Sequence, residues 1–248
     1  MLDALRTVRG IVRSLRMYYG DRQHGPAMDQ LYREFVKPGD LVFDIGAHVG
    51  DRIAAFRRLG ARVVALEPQP ALAKTLRLIY GRDPMVTIKA SAVGRQSGFI
   101  TLNVNLANPT VSTASADFMA ATAHAPGWEG QVWSKQVTVP LTTIDALISN
   151  HGIPSFIKID VEGFEAEALA GLSHPVAALS FELTLIQRDV AHQCIERCYV
   201  MGYTQFNASL GESQNFEHNE WVDADAIARW LDGLPPQANS GDIYARLA

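Results

Sequence analysis

The chain has 248 residues and is 48% hydrophobic, enough apolar material for the core of one domain with at most a small appendage. Its net charge of −4, from 22 basic and 26 acidic residues, argues against non-specific binding of the whole chain to polyanions. Two cysteines exclude a disulfide framework and a cysteine-rich metal cage, and we expect both, Cys194 and Cys198, to be reduced core residues.

The first residues predict an amphipathic helix with a basic face. Over residues 1–20 the apolar side chains recur every three or four positions, and four arginines fall mainly between them: Arg6, Arg9, Arg13 and Arg16. We expect this helix to pack on the domain with its arginines in solvent. Peripheral contact with an anionic membrane, or pairing with a partner chain, is the alternative. A second helix at 26–36 completes a predicted N-terminal helical segment, 1–36, ahead of a domain at 37–248.

The sequence also favours a location for the protein. No uninterrupted apolar run approaches the roughly 20 residues of a membrane-spanning helix. The N-terminus lacks the apolar core and the small-residue cleavage site of a secretory signal. We therefore expect a cytoplasmic protein.

From residue 41 onward, apolar strand-like runs alternate with helical patterns. The predicted strands are at 41–46, 61–68, 85–94, 156–163, 176–184, 203–209 and 241–247. The predicted helices are at 51–60, 69–81, 141–149, 164–172, 190–202 and 223–233. This alternation predicts an α/β fold with a mostly parallel sheet covered by helices on both faces. Residues 98–140 interrupt the pattern, and we interpret them as an insertion that carries an extra hairpin and a polar loop.

The stretch "LVFDIGAHVG" (41–50) predicts a ligand site after the first strand. In a parallel sheet, ligands bind beyond the carboxyl ends of the strands. Asp44 would lie at the strand end, Gly46 in a tight turn without a side chain to keep a ligand away, and Gly50 where the next helix starts. Glu67 ends the next strand about 20 residues on, where an acid typically binds the two hydroxyls of a ribose. The motif therefore predicts an adenosine-bearing ligand.

The residues around the turn also distinguish between adenosine-bearing ligands. The turn lacks one glycine of the dinucleotide motif, and the Asp44 carboxylate would repel a pyrophosphate. The same carboxylate suits the ammonium and sulfonium groups of S-adenosylmethionine, which we therefore favour over NAD. The alternative is that Asp44 only caps the helix that follows.

A second cluster of acids follows the predicted strand "FIKIDVEG" (156–163). Strand alternation places Lys158, Asp160 and Glu162 on one side, so the lysine can pair with the acids. Glu182 lies in an otherwise apolar run, and buried acids are rare without a partner or a task. The alternative for these acids is a solvated strand end, with Glu165 favoured by the dipole of the next helix. Carboxylates suit hard cations, but nothing else in the sequence requires one, and we predict no metal ligands.

These motifs resemble the FkbM family of S-adenosylmethionine-dependent methyltransferases. The resemblance rests on "VFDIGAHVGDRIAAFRRLGARVVALEPQP", "ASAVGRQSGFITLNV", "TTIDALI", "IKIDVEGFEAEALAGL" and "LSFEL", from about Leu41 to Thr184. It implies a Rossmann-like, seven-stranded class I methyltransferase fold. It also implies O-methylation of a hydroxyl on a sugar, a glycolipid or a small metabolite.

The resemblance also implies roles for individual residues. Asp44, Gly46, Ala47 and Gly50 would line the methionine part of the cofactor, Glu67 would bind the ribose, and the segment at 91–93 would pass the adenine. Where the family commonly has asparagine this chain has His48, which we expect to contact the cofactor carboxylate. The predicted cofactor-binding set is Asp44, Gly46, Ala47, His48, Gly50, Glu67, Pro68, Ser91, Ala92 and Asp160.

Methyl transfer to an alcohol needs a base near the acceptor oxygen. We predict Asp160 for that role, with Glu182 and Glu162 next, and we expect His24, His124 and His151 at the surface. A nucleic-acid methyltransferase is an alternative that only the arginine-rich first helix favours, because the position where such enzymes carry a [DN]-P-P-[YFW] tetrapeptide reads Asp-Val-Glu-Gly at 160–163. A non-catalytic nucleoside-binding partner protein is another. We expect a small-molecule or glycan substrate and no nucleic acid.

Overall fold

A seven-stranded sheet forms the centre of the computed structural model, which describes residues 2–21, 23–123 and 125–248. Its strands lie in the order Val86–Lys89 (β3), Arg62–Leu66 (β2), Leu41–Ile45 (β1), Phe156–Ile159 (β7), Ala178–Thr184 (β8), Ser240–Arg246 (β10) and Gln205–Leu210 (β9). Strand β10 is antiparallel to both neighbours, and the remaining pairs are parallel. The predicted α/β class and mostly parallel sheet are therefore confirmed.

Helices cover both faces of this sheet, as the apolar strands predict. One face packs against Ile144–His151 (α6), Glu165–Leu169 (α7), Arg188–Val200 (α8) and Ala224–Gly233 (α9). The other packs against His24–Tyr32 (α2), Asp51–Arg58 (α3) and Pro70–Tyr80 (α4). All five residues of β1 are buried, because this strand lies in the middle of the sheet under both layers. Both cysteines are unpaired and buried on α8, as expected.

The predicted strand at 85–94 was wrong as a single element. Strand β3 ends at Lys89, and the chain then leaves the large sheet. Ala92–Val93 (β4) pairs instead with Lys135–Thr142 (β6), which is also antiparallel to Gly98–Val104 (β5). The split arises because β6 offers backbone partners for residues 92 and 93 in a second, three-stranded sheet.

The hairpin of the predicted insertion is present as β5 and β6, but the connection between them is not an irregular loop. It contains a 3-10 helix at Pro109–Val111 and the helix Ala116–Thr122 (α5). The Ser115 side chain accepts a hydrogen bond from the backbone N–H of Phe118 and so caps α5. His124, predicted at the surface, lies outside the described residues.

The N-terminal segment folds as two helices, Leu2–Gly20 (α1) and α2. Helix α1 approaches the 3-10 helix so closely that a Cβ on Gly10 would lie 2.8 Å from Cδ of Pro109. His24 is buried, with its Nε2 3.4 Å from Oδ2 of Asp51, so its predicted surface position was wrong. Among the described helices, none combines the length and the apolar character that a bilayer crossing requires.

The order of the strands determines where a ligand can bind. The chain proceeds outward from β1 to β2 and β3 on one side, and from β7 to β8 on the other. The loops after β1 and β7 therefore diverge, leaving a crevice beyond the carboxyl ends of these two neighbouring strands.

Candidate active site

A cleft of about 780 Å³, counting the part that is open to solvent, lies over the carboxyl ends of β1, β2 and β7. We name it the β1 cleft. Its volume falls in the range of small-molecule sites. Seven of the predicted cofactor-binding residues line it: Gly46, Ala47, His48, Glu67, Pro68, Ala92 and Asp160. The other three, Asp44, Gly50 and Ser91, do not line it.

The structure explains the need for glycine at the two turn positions differently from the sequence prediction. Gly46 has a φ of +91°, and a Cβ there would overlap the carbonyl oxygen of Asp160. Gly50 has a φ of +87° at the start of α3, and its Cβ would lie 2.6 Å from the ring of Tyr80. Both glycines therefore permit close approach within the protein, of the β1 and β7 turns in one case and of two helices in the other.

Glu67 lies at the edge of the β1 cleft with its carboxylate fixed by the backbone. Its Oε2 accepts a hydrogen bond from the N–H of His48 at 2.9 Å, and its Oε1 accepts one from the N–H of Gln69 at 2.8 Å. Burial raises the pKa of Glu67 to about 8, although both hydrogen bonds act in the opposite direction. Each oxygen keeps a lone pair, so the group can still accept hydrogen bonds from two hydroxyls of a ligand.

His48 occupies the turn between β1 and α3 in a left-handed conformation, with a φ of +46°. Its ring meets that of Tyr18 edge-on, with the centroids 5.6 Å apart. Burial lowers the pKa of His48 to about 4, so the imidazole is neutral at pH 7. A neutral ring can donate one hydrogen bond into the cleft without adding charge.

Asp44 lies below the β1 cleft, on the face of β1 that packs against α2 and α3. It is fully buried, and neither carboxylate oxygen has a hydrogen-bond partner in the described part of the chain. Burial raises its pKa to about 7, against the opposing charge of Arg52. An unpaired buried carboxylate is costly, so a positive charge bound at this end of β1 would stabilise the ionised form. This orphaned acid fits a cationic ligand such as S-adenosylmethionine.

A second cavity, of about 670 Å³ with its open part, adjoins the β1 cleft. We name it the acidic cavity. The two share Tyr18, Arg52, Thr110, Asp160 and Glu162. The acidic cavity is lined by five acids, Asp160, Glu162, Glu182, Glu212 and Asp242, against one basic residue, Arg52. Trp128 supplies an aromatic wall.

Asp160 lies where the two cavities meet, and its charge is held by two cations. The Nζ of Lys158, which is fully buried, is 3.2 Å from Oδ2 of Asp160 and 2.7 Å from Oδ1 of Asp242. The Nη2 of Arg52 lies 3.9 Å from the same Asp160 oxygen. Burial alone would raise the pKa of Asp160, but Lys158 and Arg52 outweigh it and lower that pKa. Asp160 is therefore ionised at neutral pH.

Two further acids, Glu162 and Glu182, lie beside Asp160, and their pKa values are raised rather than lowered. Asp160, Glu162 and Glu182 each bring one carboxylate oxygen within 4.8 Å of the others. Burial and the neighbouring negative charges raise the pKa values of Glu162 and Glu182 well above the usual range. One oxygen of Glu182, Oε2, is buried without a hydrogen-bond partner. Three carboxylates this close cannot all be ionised, so protons reside on Glu162 and Glu182 before Asp160.

Strand alternation, from which we predicted that Lys158, Asp160 and Glu162 lie on one side, does not explain why these residues are close together. Strand β7 ends at Ile159, and Glu162 has a φ of +56°, so alternation does not extend to it. The turn after the strand brings Glu162 into the cluster. Lys158 pairs with an acid as predicted, but its closer partner, Asp242, comes from β10 and was missed.

Sequence reasoning missed most of the acidic cavity. Arg52, Glu212, Asp242, Trp128 and Tyr18 line it, and none was proposed from the sequence. Arg52 could have been proposed from the sequence, because it follows the glycine turn at the start of α3. The remaining four come from separate segments that only the folded chain brings together.

The fold is that of a Rossmann-like methyltransferase, and comparison with known sequences identifies the family. The family model of the methyltransferase FkbM domain matches residues 44–234. The chain therefore belongs to the FkbM methyltransferase family, whose cofactor is S-adenosylmethionine.

Individual relatives are more distant. Hexuronic acid methyltransferase AglP of Haloferax volcanii is 23% identical over 163 residues, which cover 65% of this chain and 62% of AglP. The matched part thus spans less than two thirds of that relative. An O-methyltransferase from Bacillus cereus, solved in complex with SAH, aligns over 96% of this chain and 90% of its own, at 12% identity and a TM-score of 0.49. A TehB-like methyltransferase from Corynebacterium glutamicum aligns over 95% and 94%, at 11% identity and a TM-score of 0.48.

Proposed function

We propose that this enzyme transfers a methyl group from S-adenosylmethionine to a hydroxyl of a sugar. The observation that carries the proposal is the acidic cavity, which opens onto the β1 cleft at Asp160. Carboxyl groups accept or exchange hydrogen bonds with several hydroxyls at once, and the indole of Trp128 can pack on the apolar face of a sugar ring. The likeness to AglP, a sugar-acid methyltransferase by its name, supports the same class of acceptor.

Residues of both cavities have defined roles in this proposal. When bound, S-adenosylmethionine supplies an activated methyl group on a sulfonium. Glu67 accepts hydrogen bonds from the ribose, and the buried charge of Asp44 favours the cation. Asp160 accepts the proton of the sugar hydroxyl while the oxygen–methyl bond forms and the sulfur–methyl bond breaks. Glu162 and Glu182, in their protonated forms, donate hydrogen bonds to neighbouring sugar oxygens.

The charges of the acidic cavity favour a neutral sugar, or one that carries an amino group. Arg52 is the one basic residue among the described lining residues, and it is already within 4 Å of three of the protein's own carboxylates. Although Glu162 and Glu182 hold protons, the carboxylate of a hexuronate would find no unpaired cation in this lining and would lie close to the ionised Asp160, which costs free energy at short range. We therefore propose an acceptor that differs in charge from the hexuronic acid named for AglP. The same repulsion disfavours the phosphate backbone of a nucleic acid.

A methyl-transfer assay with isotopically labelled cofactor tests this function. The matched pair of acceptors is a hexose glycoside and the hexuronide with the same aglycone, followed by amino-sugar glycosides, glycolipids and small hydroxylated metabolites. We expect the label on a sugar oxygen and a kcat/KM for the neutral glycoside at least about tenfold above that for the hexuronide. Labelling of the hexuronide alone would contradict the charge argument. Labelling of nitrogen or carbon would contradict O-methylation.

A further inference from the structure

The first helix directs an apolar stripe away from the body of the protein. Because an α-helix has 3.6 residues per turn, positions three and four apart share one face. The face of α1 that is buried on the protein carries Gly10 and Ser14. The larger Leu5, Val8 and Val12 are 49%, 56% and 38% exposed. The helix thus packs chiefly through these small residues, with Ile11 and Leu15 only partly covered, and it leaves those three apolar residues exposed, contrary to what its pattern predicts.

A basic stripe borders this apolar stripe. It consists of four exposed arginines, the first three of which come directly after Leu5, Val8 and Val12 in the sequence: Arg6, Arg9, Arg13 and Arg16. None of the four is within ion-pairing distance of a carboxylate in the described part of the chain. Adjacent apolar and arginine stripes on one exposed helix are typical of helices that lie in the interface of a membrane.

We propose that this face of α1 binds an anionic lipid surface. In this arrangement Leu5, Val8 and Val12 enter the interface between headgroups and acyl chains, and the four arginines contact the headgroups. The chain as a whole carries a net charge of −4, so the attraction is confined to this helix. This surface lies outside both cavities, and the proposal does not depend on which acceptor is methylated.

The combination of apolar and basic side chains on α1 favours an anionic lipid surface over a second copy of the chain or a nucleic acid. A second copy of the chain could cover the apolar stripe, but the same helix would bring four more arginines against a single acid, Asp3. An anionic membrane covers the apolar stripe and neutralises the basic stripe at the same time. A nucleic acid would neutralise the arginines but would leave Leu5, Val8 and Val12 in water.

The position of the helix relates this surface to the active site. Tyr18, six residues after Val12 and therefore about 9 Å further along the helix axis, lines both cavities. A membrane bound along α1 would hold the entrance of the acidic cavity near the headgroups. Acceptor sugars that are attached to lipids would then be concentrated where the enzyme works.

Co-sedimentation of the full chain with vesicles tests the proposal. One set of vesicles is pure phosphatidylcholine, and the other mixes phosphatidylcholine with phosphatidylglycerol. We expect binding to the mixed vesicles only, weakened by added salt. Changing Arg6, Arg9, Arg13 and Arg16 together to Gln should reduce the partition coefficient at least about tenfold. Changing Leu5, Val8 and Val12 to Ser should also reduce it, at unchanged charge.

The matched control changes four other exposed arginines to Gln: Arg33, Arg62, Arg77 and Arg82. It alters the net charge equally and should bind as the unchanged protein does. All three variants should methylate a water-soluble acceptor normally, because none of the changed residues lines the β1 cleft or the acidic cavity. Equal vesicle binding by the α1 arginine variant and the control would overturn the proposal. So would a lipid-free dimer that the Leu5, Val8 and Val12 changes dissociate.

Discussion

The two cavities of the candidate active site are assembled in different ways. Nine of the twenty residues that line the β1 cleft come from two stretches that follow neighbouring strands, 45–52 and 67–69, and the others come from α1, from residues 92–114 and from residues 160–164. The acidic cavity takes Glu182, Glu212 and Asp242 from three separate segments, and Trp128 from the connection between β5 and β6. In the proposed function, the methyl donor would contact the turn after β1 and the end of β2, whereas the acceptor would contact acids that only tertiary packing brings together. Substitutions of Glu182 or Glu212, which line the acidic cavity but not the β1 cleft, should therefore affect the acceptor more than the cofactor.

The largest effect is expected where the two cavities meet. Asp160→Asn removes the ionised carboxylate that we propose as the acceptor of the hydroxyl proton, while it keeps the shape of the side chain. We expect kcat at saturating cofactor to fall about 10²- to 10⁴-fold, the usual contribution of a general base. Cofactor affinity, measured by calorimetry, should change much less.

Two matched variants separate a base from a merely structural acid. Asp242→Asn also removes one partner of Lys158, so it reproduces the loss of an ion pair without removing the base. Glu182→Gln replaces a protonated acid by a neutral hydrogen-bond donor of the same shape. Both should retain most of kcat on a neutral glycoside. If Glu182→Gln loses as much activity as Asp160→Asn, the base is Glu182.

A substitution in the turn after β1 should lower the stability of the protein. It should weaken cofactor binding only because the turn loses its structure. Gly46→Ala introduces a Cβ where the carbonyl oxygen of Asp160 lies, at a φ that alanine rarely adopts. We expect a loss of at least about 3 kcal/mol in the free energy of unfolding, measured by urea denaturation. Gly39→Ala is the control, because its φ of +89° carries the same backbone strain with no atom near the added Cβ. Equal losses in both variants would contradict the steric argument.

Glu67 should contribute to cofactor affinity by a smaller factor. Glu67→Gln keeps one oxygen for a backbone N–H but replaces the other oxygen by an amide nitrogen, which cannot accept a hydrogen bond from the second backbone N–H or from a ribose hydroxyl. Leaving a buried hydrogen-bonding group unsatisfied costs about 1–3 kcal/mol, so we expect the Kd for S-adenosylmethionine to rise about 5- to 100-fold. The melting temperature of the variant should be recorded alongside. An unchanged Kd by calorimetry would remove Glu67 from the ribose site.

The smallest of these effects concerns pH. The folded protein raises the pKa of Asp44 to about 7, so it binds a proton that the unfolded chain has already released above pH 4. Stability of the cofactor-free protein should therefore fall as pH rises from about 4 to 7. Asp44→Asn should remove this part of the pH dependence and raise the melting temperature at pH 8 by about 2 °C or more. A variant that shows the same decline with pH would exclude Asp44 as its source.

The sequence was sufficient for features that depend on neighbouring residues. Periodicity identified the helices and the parallel strands, and the turn at 44–50 with Glu67 identified the cleft, because these signals are local. The same reasoning failed wherever a distant segment decides the outcome. The strand at 85–94 splits because β6 pairs with its second half, and Lys158 reaches Asp242 on β10.

Local patterns also suggested reasons for two features that the structure replaces with others. Gly46 was identified from its place in a turn, but the carbonyl oxygen that excludes a side chain there belongs to Asp160, which follows a strand more than 100 residues away in sequence. The apolar positions of α1 predicted a face packed on the domain. Instead Gly10, the residue that allows the closest approach to the protein body, determines which face is buried.

The most direct test is a crystal structure of the protein with S-adenosylhomocysteine and a neutral glycoside. We expect the adenosyl group in the β1 cleft with its ribose on Glu67, and a sugar hydroxyl in hydrogen-bond contact with Asp160, facing the sulfur. A sugar ring bound elsewhere, with the five acids around Asp160 turned toward solvent, would contradict the transfer path described here.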